Sequence, residues 1–366
     1  MTRRIPLVLG HFGGDNAGDE AILEGTCHLL AAVDVDAIRV VARRSDYRPS
    51  PGLPVAVETI RPDPVALFRA VLGASTVVFA GGTHFDDQFG GTRRLRHYRY
   101  LARFLAVFAL ARVARRPVVA LGQGIGPLPH RPGRLLARVL FALVPNGTVR
   151  DDASYRLARQ LGAGTGWRRT FDSAAAAPGL WREGEERAAV AGIAPVFGTA
   201  PDGLWPACAT ALLCAYERGA IDAVHVIAFR SGDREHDLDA ATELVTALAG
   251  SVTVTGTEFG GNVTEIADAL GTCRVVLCGR YHSLVLALLA GAVPVVLPAH
   301  AKLVDAAALV GLPPALIVSD PSVSAIVAAI DAALDFDARK LRPVLDDLRL
   351  TLVDDVSILA RAEANS

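Results

Sequence analysis

Residues 278–302 read CGRYHSLVLALLAGAVPVVLPAHAK, from Cys278 to Lys302, and their reading decides the fold. Val275-Val276-Leu277-Cys278 is a short β-branched run, and Val293-Pro294-Val295-Val296-Leu297 is a second. Between them Ser283 to Ala290 is apolar almost all round, opens on a serine suited to an N-cap and stops at Gly291. Strand, helix and strand of these lengths predict a right-handed parallel crossover. Gly279-Arg280-Tyr281-His282 then follows the carboxyl end of the first strand, and Lys302 lies in a loop past the second. Neighbouring parallel strands run roughly 5 Å apart, so Arg280, His282 and Lys302 are expected at one sheet edge, where open α/β sheets bind ligands. Beside a helix N-terminus they suit a small multiply charged anion. The plainer alternative is a capping histidine and a solvated lysine. Composition speaks against it for Lys302: among 37 Lys and Arg, only Lys302 and Lys340 are lysines.

Working outward, 366 residues are long for one core and comfortable for two domains. With 51% hydrophobic and 20% charged residues the chain is globular. Its longest apolar run, Val285 to Ala299, is interrupted by Pro294 and shorter than the roughly 18 residues of a membrane span. Thr2-Arg3-Arg4 leads straight into a strand-like run, which is not a signal-peptide pattern. Five cysteines, odd in number and without a CxxC pair, predict reduced, buried thiols in a cytoplasmic protein with no structural zinc. Net charge is −1, but residues 1–175 carry 24 Arg against 14 acidic residues (+10), and the remainder 13 basic against 24 acidic (−11). Oppositely charged halves suggest two domains facing each other over a cleft, the basic half attracting an anion.

Taken in order, Leu7-Val8-Leu9 is a strand that runs into a glycine loop, Gly10 to Glu20, with a helix from about Ala21 to Ala32. Such a loop lets backbone approach a ligand. It is not a GxGxxG fingerprint, and the acidic residue a ribose would need about 20 positions on is not in place, which argues against a nicotinamide dehydrogenase. Asp15, Asp19 and Glu20 there either bind sugar hydroxyls or cap the helix. Ile38 to Ala42 (strand), a proline-rich connection, Pro64 to Leu72 (helix) and Thr76 to Ala80 (strand) follow, ending in a glycine turn from Gly81 to Asp87. Thr92 to Arg116 reads as a helix with eight Arg and no acid. That face either meets anionic lipid or a lipid-linked acceptor, or is simply solvated. Val118 to Leu121 is a strand, Gly122 to Pro127 a glycine loop and Pro132 to Leu143 a helix. Thr148-Val149 then leads to Arg150-Asp151 and a helix to Leu161. Glycine or charged loops thus follow successive strands of a doubly wound domain. Residues 164–191, with a charged patch from Trp181 to Arg187, read as a connection. Beyond it, strands at 193–197, 223–228 and 252–254 alternate with helices at 208–216, 237–248 and 264–270 up to the crossover. Residues 321–334 and 341–362 are helical.

These residues resemble the polysaccharide pyruvyl transferase family. The likeness lies in the order and type of Gly13-Gly14-Asp15-Asn16-Ala17-Gly18-Asp19-Glu20, Gly81-Gly82-Thr83 with Asp87, Gly122-Gln123-Gly124-Ile125-Gly126-Pro127, Val149-Arg150-Asp151 with Ser154, and Arg280-Tyr281-His282 with its apolar helix and Lys302. It implies an α/β chain of two Rossmann-like domains in a GT-B-like arrangement with an inter-domain cleft. Residues 1–175 would form the acceptor side, 190–340 the donor side, and 341–366 a C-terminal helix packing back. It further implies phosphoenolpyruvate as donor and transfer of its pyruvyl unit, as a ketal, to two hydroxyls of a sugar.

The chemistry fits the side chains. Phosphoenolpyruvate packs a carboxylate and a phosphate onto three carbons, so Arg150 and Arg280 are expected to fork onto it and Lys302 to meet the phosphate. His282 is a phosphate ligand or a general acid, and Asp87, Asp19 or His282 the base for a hydroxyl. The glycine-loop residues Gly13, Gly14, Asp15, Asn16, Gly82 and Gly124 are expected on the acceptor side. No cofactor or metal is expected beyond phosphoenolpyruvate as co-substrate. The expected partner is a glycan or sugar acceptor, free or lipid-linked, with peripheral contact of the Arg93–Arg116 helix at the inner face of the membrane and no nucleic acid. A GT-B glycosyltransferase using a nucleotide sugar is the enzymatic alternative, against which Glu258 and Glu265 stand seven rather than eight apart. A non-catalytic anion- or sugar-binding member of the fold is the other.

Overall fold

The computed structural model describes residues 5–88, 90–182, 187–198, 200–231, 237–299 and 301–365. Thr2-Arg3-Arg4 and the Glu183–Glu186 part of the charged patch lie outside the described residues. The chain divides into two compact units, one of residues 1–14, 19–177 and 348–366, the other of 15–18 and 178–347. The terminal piece expected as 341–366 is therefore shared between them, changing unit at residue 348.

The first unit is built on a parallel sheet in the order β3-β2-β1-β4-β6-β7-β8, with β5 paired to β6 off that path. Its strands are β1 (Ile5–Leu9), β2 (Ala37–Val41), β3 (Ala56–Ile60), β4 (Ala74–Phe79), β5 (Gly82–Phe85), β6 (Val118–Ile125), β7 (Asn146–Val149) and β8 (Trp167–Arg169). Helices α1 (Ala17–Ala31), α2 (Pro64–Gly73), α3 (Gly91–Val113), α4 (Arg131–Leu143) and α5 (Asp152–Gln160) are interleaved with them. Because β-branched strands buried on both faces need apolar cover on both sides, the core holds Val77, Phe79, Phe108, Phe141 and Trp167, all buried. The Trp167 ring meets Phe141 edge-on at 5.0 Å, and its N–H donates to the Val144 carbonyl at 2.8 Å.

The second unit carries a parallel sheet in the order β11-β10-β9-β12-β13. These strands are β9 (Val190–Ala194), β10 (Ala223–Ala228), β11 (Val254–Glu258), β12 (Val275–Cys278) and β13 (Val293–Val296). Its helices are α6 (Leu204–Glu217), α7 (Leu238–Leu248), α8 (Val263–Thr272), α9 (Tyr281–Leu289), α10 (Ala301–Leu309) and α11 (Val323–Asp335). Helices α12 (Arg342–Leu350) and α13 (Val353–Ala364) close the chain. In both sheets the strand order reverses beside the first strand, so each unit has its own switch point: β1 against β4, and β9 against β12.

Several sequence expectations are corrected. The crossover exists, with Val275 opposite Val293 and Cys278 opposite Val296. Its helix, however, starts at Tyr281, and Arg280 is the N-cap. Ser283 sits at the third helical position, where its hydroxyl accepts from the Arg280 N–H (3.0 Å). Lys302 is not in a loop but in the first turn of α10. Asp19 and Glu20 lie inside the first turn of α1, which begins at Ala17. The turn expected at Gly82–Phe85 is a strand, and β6 continues through Gly122-Gln123-Gly124 to Ile125. Edge strands β3 and β8 were not expected: the first is largely exposed and follows prolines, the second is three residues long. The terminal helical segment is two helices, parted where the Thr351 hydroxyl caps the Leu348 carbonyl (2.6 Å).

Candidate active site

At the carboxyl edge of the second unit's sheet, Gly279 leaves β12 with its N–H on the Ala194 carbonyl at the end of β9 (3.0 Å). The chain turns there at the switch point and enters α9, so Arg280 and His282 stand at the amino end of a helix at that edge. Lys302, 8% exposed, opens the helix that follows the neighbouring strand β13. Arg280, His282 and Lys302 thus belong to adjacent strand ends of one sheet.

Arg280 does not point a free fork at this edge. Its Nε and Nη2 donate to Asp237 at 2.6 and 2.5 Å, and Asp237 is wholly buried at the N-cap of α7. The Phe197 N–H donates to the same carboxylate (3.1 Å). Asp237 therefore fixes where the guanidinium faces. Sequence reading missed it; its position just ahead of a helix was the available signal. His282 is half-buried, its ring edge-on to Tyr281 at 5.3 Å. Residues 15–18 are part of this unit: the Ala17 N–H donates to the Phe229 carbonyl (2.9 Å) and Asn16 bridges to Arg230. Gly18 there lies so close to His282 that a β-carbon would fall 2.2 Å from the imidazole Nδ1.

The first unit presents a different edge. Past β1, His11 packs on His84 (5.0 Å) and on Tyr100 (4.9 Å). The buried His84 Nε2 lies 3.1 Å from the Gly81 carbonyl and its Nδ1 3.3 Å from the Tyr100 hydroxyl. Nε2–H therefore donates to the carbonyl and Nδ1 accepts from Tyr100. Burial and the neighbouring His11 depress the His84 pKa to about 3, against the smaller opposing pull of Asp19. Burial, then Asp19, pushes the Tyr100 hydroxyl well above its ordinary value. Asp19, half-buried, is thus the accessible carboxylate of this cluster. Asp87 is wholly buried and accepts from the Tyr98 hydroxyl through Oδ2 (2.8 Å), while its Oδ1 has no partner among the described residues. Glu20 is committed: Oε1 accepts from the Gly13 N–H (2.9 Å) and Oε2 from Tyr47, closing the glycine loop from within the helix.

Arg150 belongs to this first edge, just past β7, and not to the unit of Arg280, His282 and Lys302. It is buried at 2% exposure and donates to Asp172 (2.7 Å) and the Thr83 hydroxyl (3.0 Å). Gly124 makes room for it, since a β-carbon there would lie 2.8 Å from Thr83 Oγ1 and 3.2 Å from Arg150 Nε. Gly82 opens β5 beside it, and Gly13 and Gly14 follow β1 in the same unit. Asp15 and Asn16 go with the second unit instead. Sequence reading missed His84, Tyr100 and Asp172 as partners. Among the described residues no group of three or more His, Cys, Asp or Glu is placed to hold a metal ion, and no helix is long and apolar enough to cross a membrane.

Two parallel doubly wound units, each with polar side chains gathered at its switch point, define a GT-B-like α/β protein. HepE of Anabaena, solved with UDP and glucose, matches with a TM-score of 0.60 and 14% identity over 99% of this chain and 98% of that one. UDP-GlcNAc 2-epimerase of Neisseria meningitidis, solved with UDP-GlcNAc, matches with a TM-score of 0.61 and 9% identity over 96% and 100%. The N-terminal domain of a Candida albicans trehalose-6-phosphate phosphatase matches at 0.57 and 8% over 100% and 97%. At such identities the likeness is one of fold. No curated protein matches by sequence. The polysaccharide pyruvyl transferase family model matches residues 16–300, and the chain belongs to that family. It is a transferase, of the family that carries pyruvyl groups to polysaccharide.

Proposed function

We propose that the chain moves the pyruvyl unit of phosphoenolpyruvate, as a ketal, onto two hydroxyls of a glycan and releases phosphate. The observation that supports it most is the grouping of Arg280, His282 and Lys302 at the ends of the adjacent strands β12 and β13. In this reading Lys302 meets the phosphate as a point charge and Arg280, aimed by Asp237, turns its remaining N–H groups to the donor. A proton added to the methylene carbon makes the C2 centre electrophilic. One sugar hydroxyl adds there and loses its proton, the C2–O bond to phosphate breaks, and the second hydroxyl closes the ring as its proton leaves. Phosphoenolpyruvate and a diol thereby give a cyclic ketal and inorganic phosphate, in atom balance. His282 supplies or relays a proton, and the cations stabilise the departing phosphate.

On the acceptor side Asp19 is our first choice for the hydroxyl's proton, because Asp87 is covered and Glu20 engaged. Arg150 we assign to holding its own edge through Asp172 and Thr83. No further cofactor enters the scheme, and we place the reaction in the cytoplasm. A lipid link on the glycan, with peripheral contact through the Arg93–Arg116 helix, belongs to the same proposal. The second reading, a nucleotide-sugar glycosyltransferase, is favoured only by the neighbours solved with UDP or its sugars.

Phosphate release from phosphoenolpyruvate against a panel of glycosides tests the proposal, with thermal unfolding in parallel. Acceptor-dependent release, lost in Lys302→Ala at an unchanged melting temperature, is expected. Stabilisation by a UDP-sugar and not by phosphoenolpyruvate would select the second reading.

A further inference from the structure

Within the first unit a cavity of about 590 Å³ opens between α2 and α3 against the carboxyl ends of β1 and β2. That volume lies in the range of roughly 300–1,000 Å³ typical of small-molecule pockets. Its walls are almost entirely apolar, among them Leu67, Phe68, Phe104 and Leu110. The polar side chains in the lining are Tyr100, Arg43 and Arg103, and no carboxylate is among them. Tyr100 is also the residue that touches His11 and His84, so one end of the cavity abuts the acceptor edge.

The surroundings point the same way. On α2, Val65, Phe68 and Leu72 are 56%, 48% and 40% exposed, a stripe at helical spacing turned to solvent beside the cavity. Helix α3, which forms one wall, carries six arginines and no Asp or Glu. Arg43 and Arg103 in the lining, beside these exposed apolar side chains, make the cavity complementary to an anionic amphiphile.

We propose that this cavity binds the hydrocarbon chain of a lipid-borne acceptor, with Arg43 and Arg103 meeting the phosphate at the chain's head. The inference deepens the reading of the acceptor and rests on it only for what the lipid carries. The head lies toward Gly10 and Tyr100, where β1 ends, and the chain runs between α2 and α3.

Calorimetric titration of the full chain with farnesyl phosphate tests this, with farnesol and inorganic phosphate as separate arms. Farnesyl phosphate is expected to bind, and Phe68→Asp and Arg103→Glu, both at exposed positions, each to weaken it by about tenfold or more. Farnesol is expected to bind more weakly, and inorganic phosphate not measurably. Equal binding of farnesol and farnesyl phosphate, or indifference to both substitutions, would overturn the proposal. So would self-association abolished by Phe68→Asp, marking the face as an interface between copies, or retention of single-stranded nucleic acid abolished by Arg103→Glu. Phosphate release onto a soluble glycoside is expected to be unchanged in Phe68→Asp, which separates failure here from failure of the proposed reaction.

Discussion

Arg280 holds Asp237 through two hydrogen bonds, 2.6 and 2.5 Å long, although 43 residues separate them. The carboxylate is wholly buried and the guanidinium 19% exposed, so water does little to screen the pair. Removing one partner leaves the other uncompensated, at a cost of about 3 kcal/mol. Asp237→Ala is expected to lower the urea midpoint accordingly and to raise the KM for phosphoenolpyruvate, because Arg280 loses its aim. With Arg280→Ala added, the double variant should be less damaged than the two losses summed. Strict additivity in a double-mutant cycle would show that Asp237 does not position Arg280.

Gly18 and His282 give a second expectation. A β-carbon at Gly18 would overlap the imidazole at 2.2 Å from Nδ1 and 2.4 Å from Cγ. Gly18→Ala must therefore move the ring, and turnover is expected to fall by about a hundredfold, the lower end of a general acid's contribution. In a His282→Ala background the same substitution should cost little more. A full additional loss there would mean that Gly18 acts through something other than the imidazole.

Two buried groups of the first unit predict opposite pH dependences. Asp355 on α13 accepts from the Thr148 hydroxyl (2.5 Å), and burial raises its pKa from 3.8 to about 7. The folded chain holds that proton more tightly than the unfolded one. The stability it contributes is complete below pH 3.8 and is lost as pH rises through about 7. His84 is the reverse: with its pKa lowered from 6.5 to about 3, its contribution is complete above pH 6.5 and is lost as pH falls toward 3. Each is on the order of 4 kcal/mol as an upper bound. Asp355→Asn is expected to gain on the parent as pH rises from 4 to 7, and His84→Gln as pH falls from 6.5 to 3. Melting temperatures across that range check it. A difference from the parent that stays constant with pH would rule out the assigned group.

The crossover was legible because its signals are local. Val275–Cys278 and Val293–Val296 are β-branched runs of strand length, and both strands form where the sequence put them. The helix starts two residues ahead of Ser283, because a serine three positions into a helix can bond back to the cap as readily as it can be one. Gly122-Gln123-Gly124 looked like a loop because glycine breaks strands on average. Here those residues continue β6, and the Gln123 amide secures them from the side by donating to the Phe79 and Ala80 carbonyls at 2.9 and 2.7 Å.

By itself the sequence determined two parallel α/β units, the cationic residues at the end of the crossover and the family, because strand length, helix periodicity and ordered motifs are properties of neighbouring residues. Only the tertiary structure decided how Arg150, Arg280 and His282 are engaged. Arg150 spends two donors on Asp172 and Thr83, Arg280 is aimed by Asp237, and His282 fits only because residue 18 has no side chain. Burial makes such pairings obligatory, since an uncompensated charge in the interior is costly. Which residue becomes the partner depends on how distant segments pack, and no local pattern carries that information.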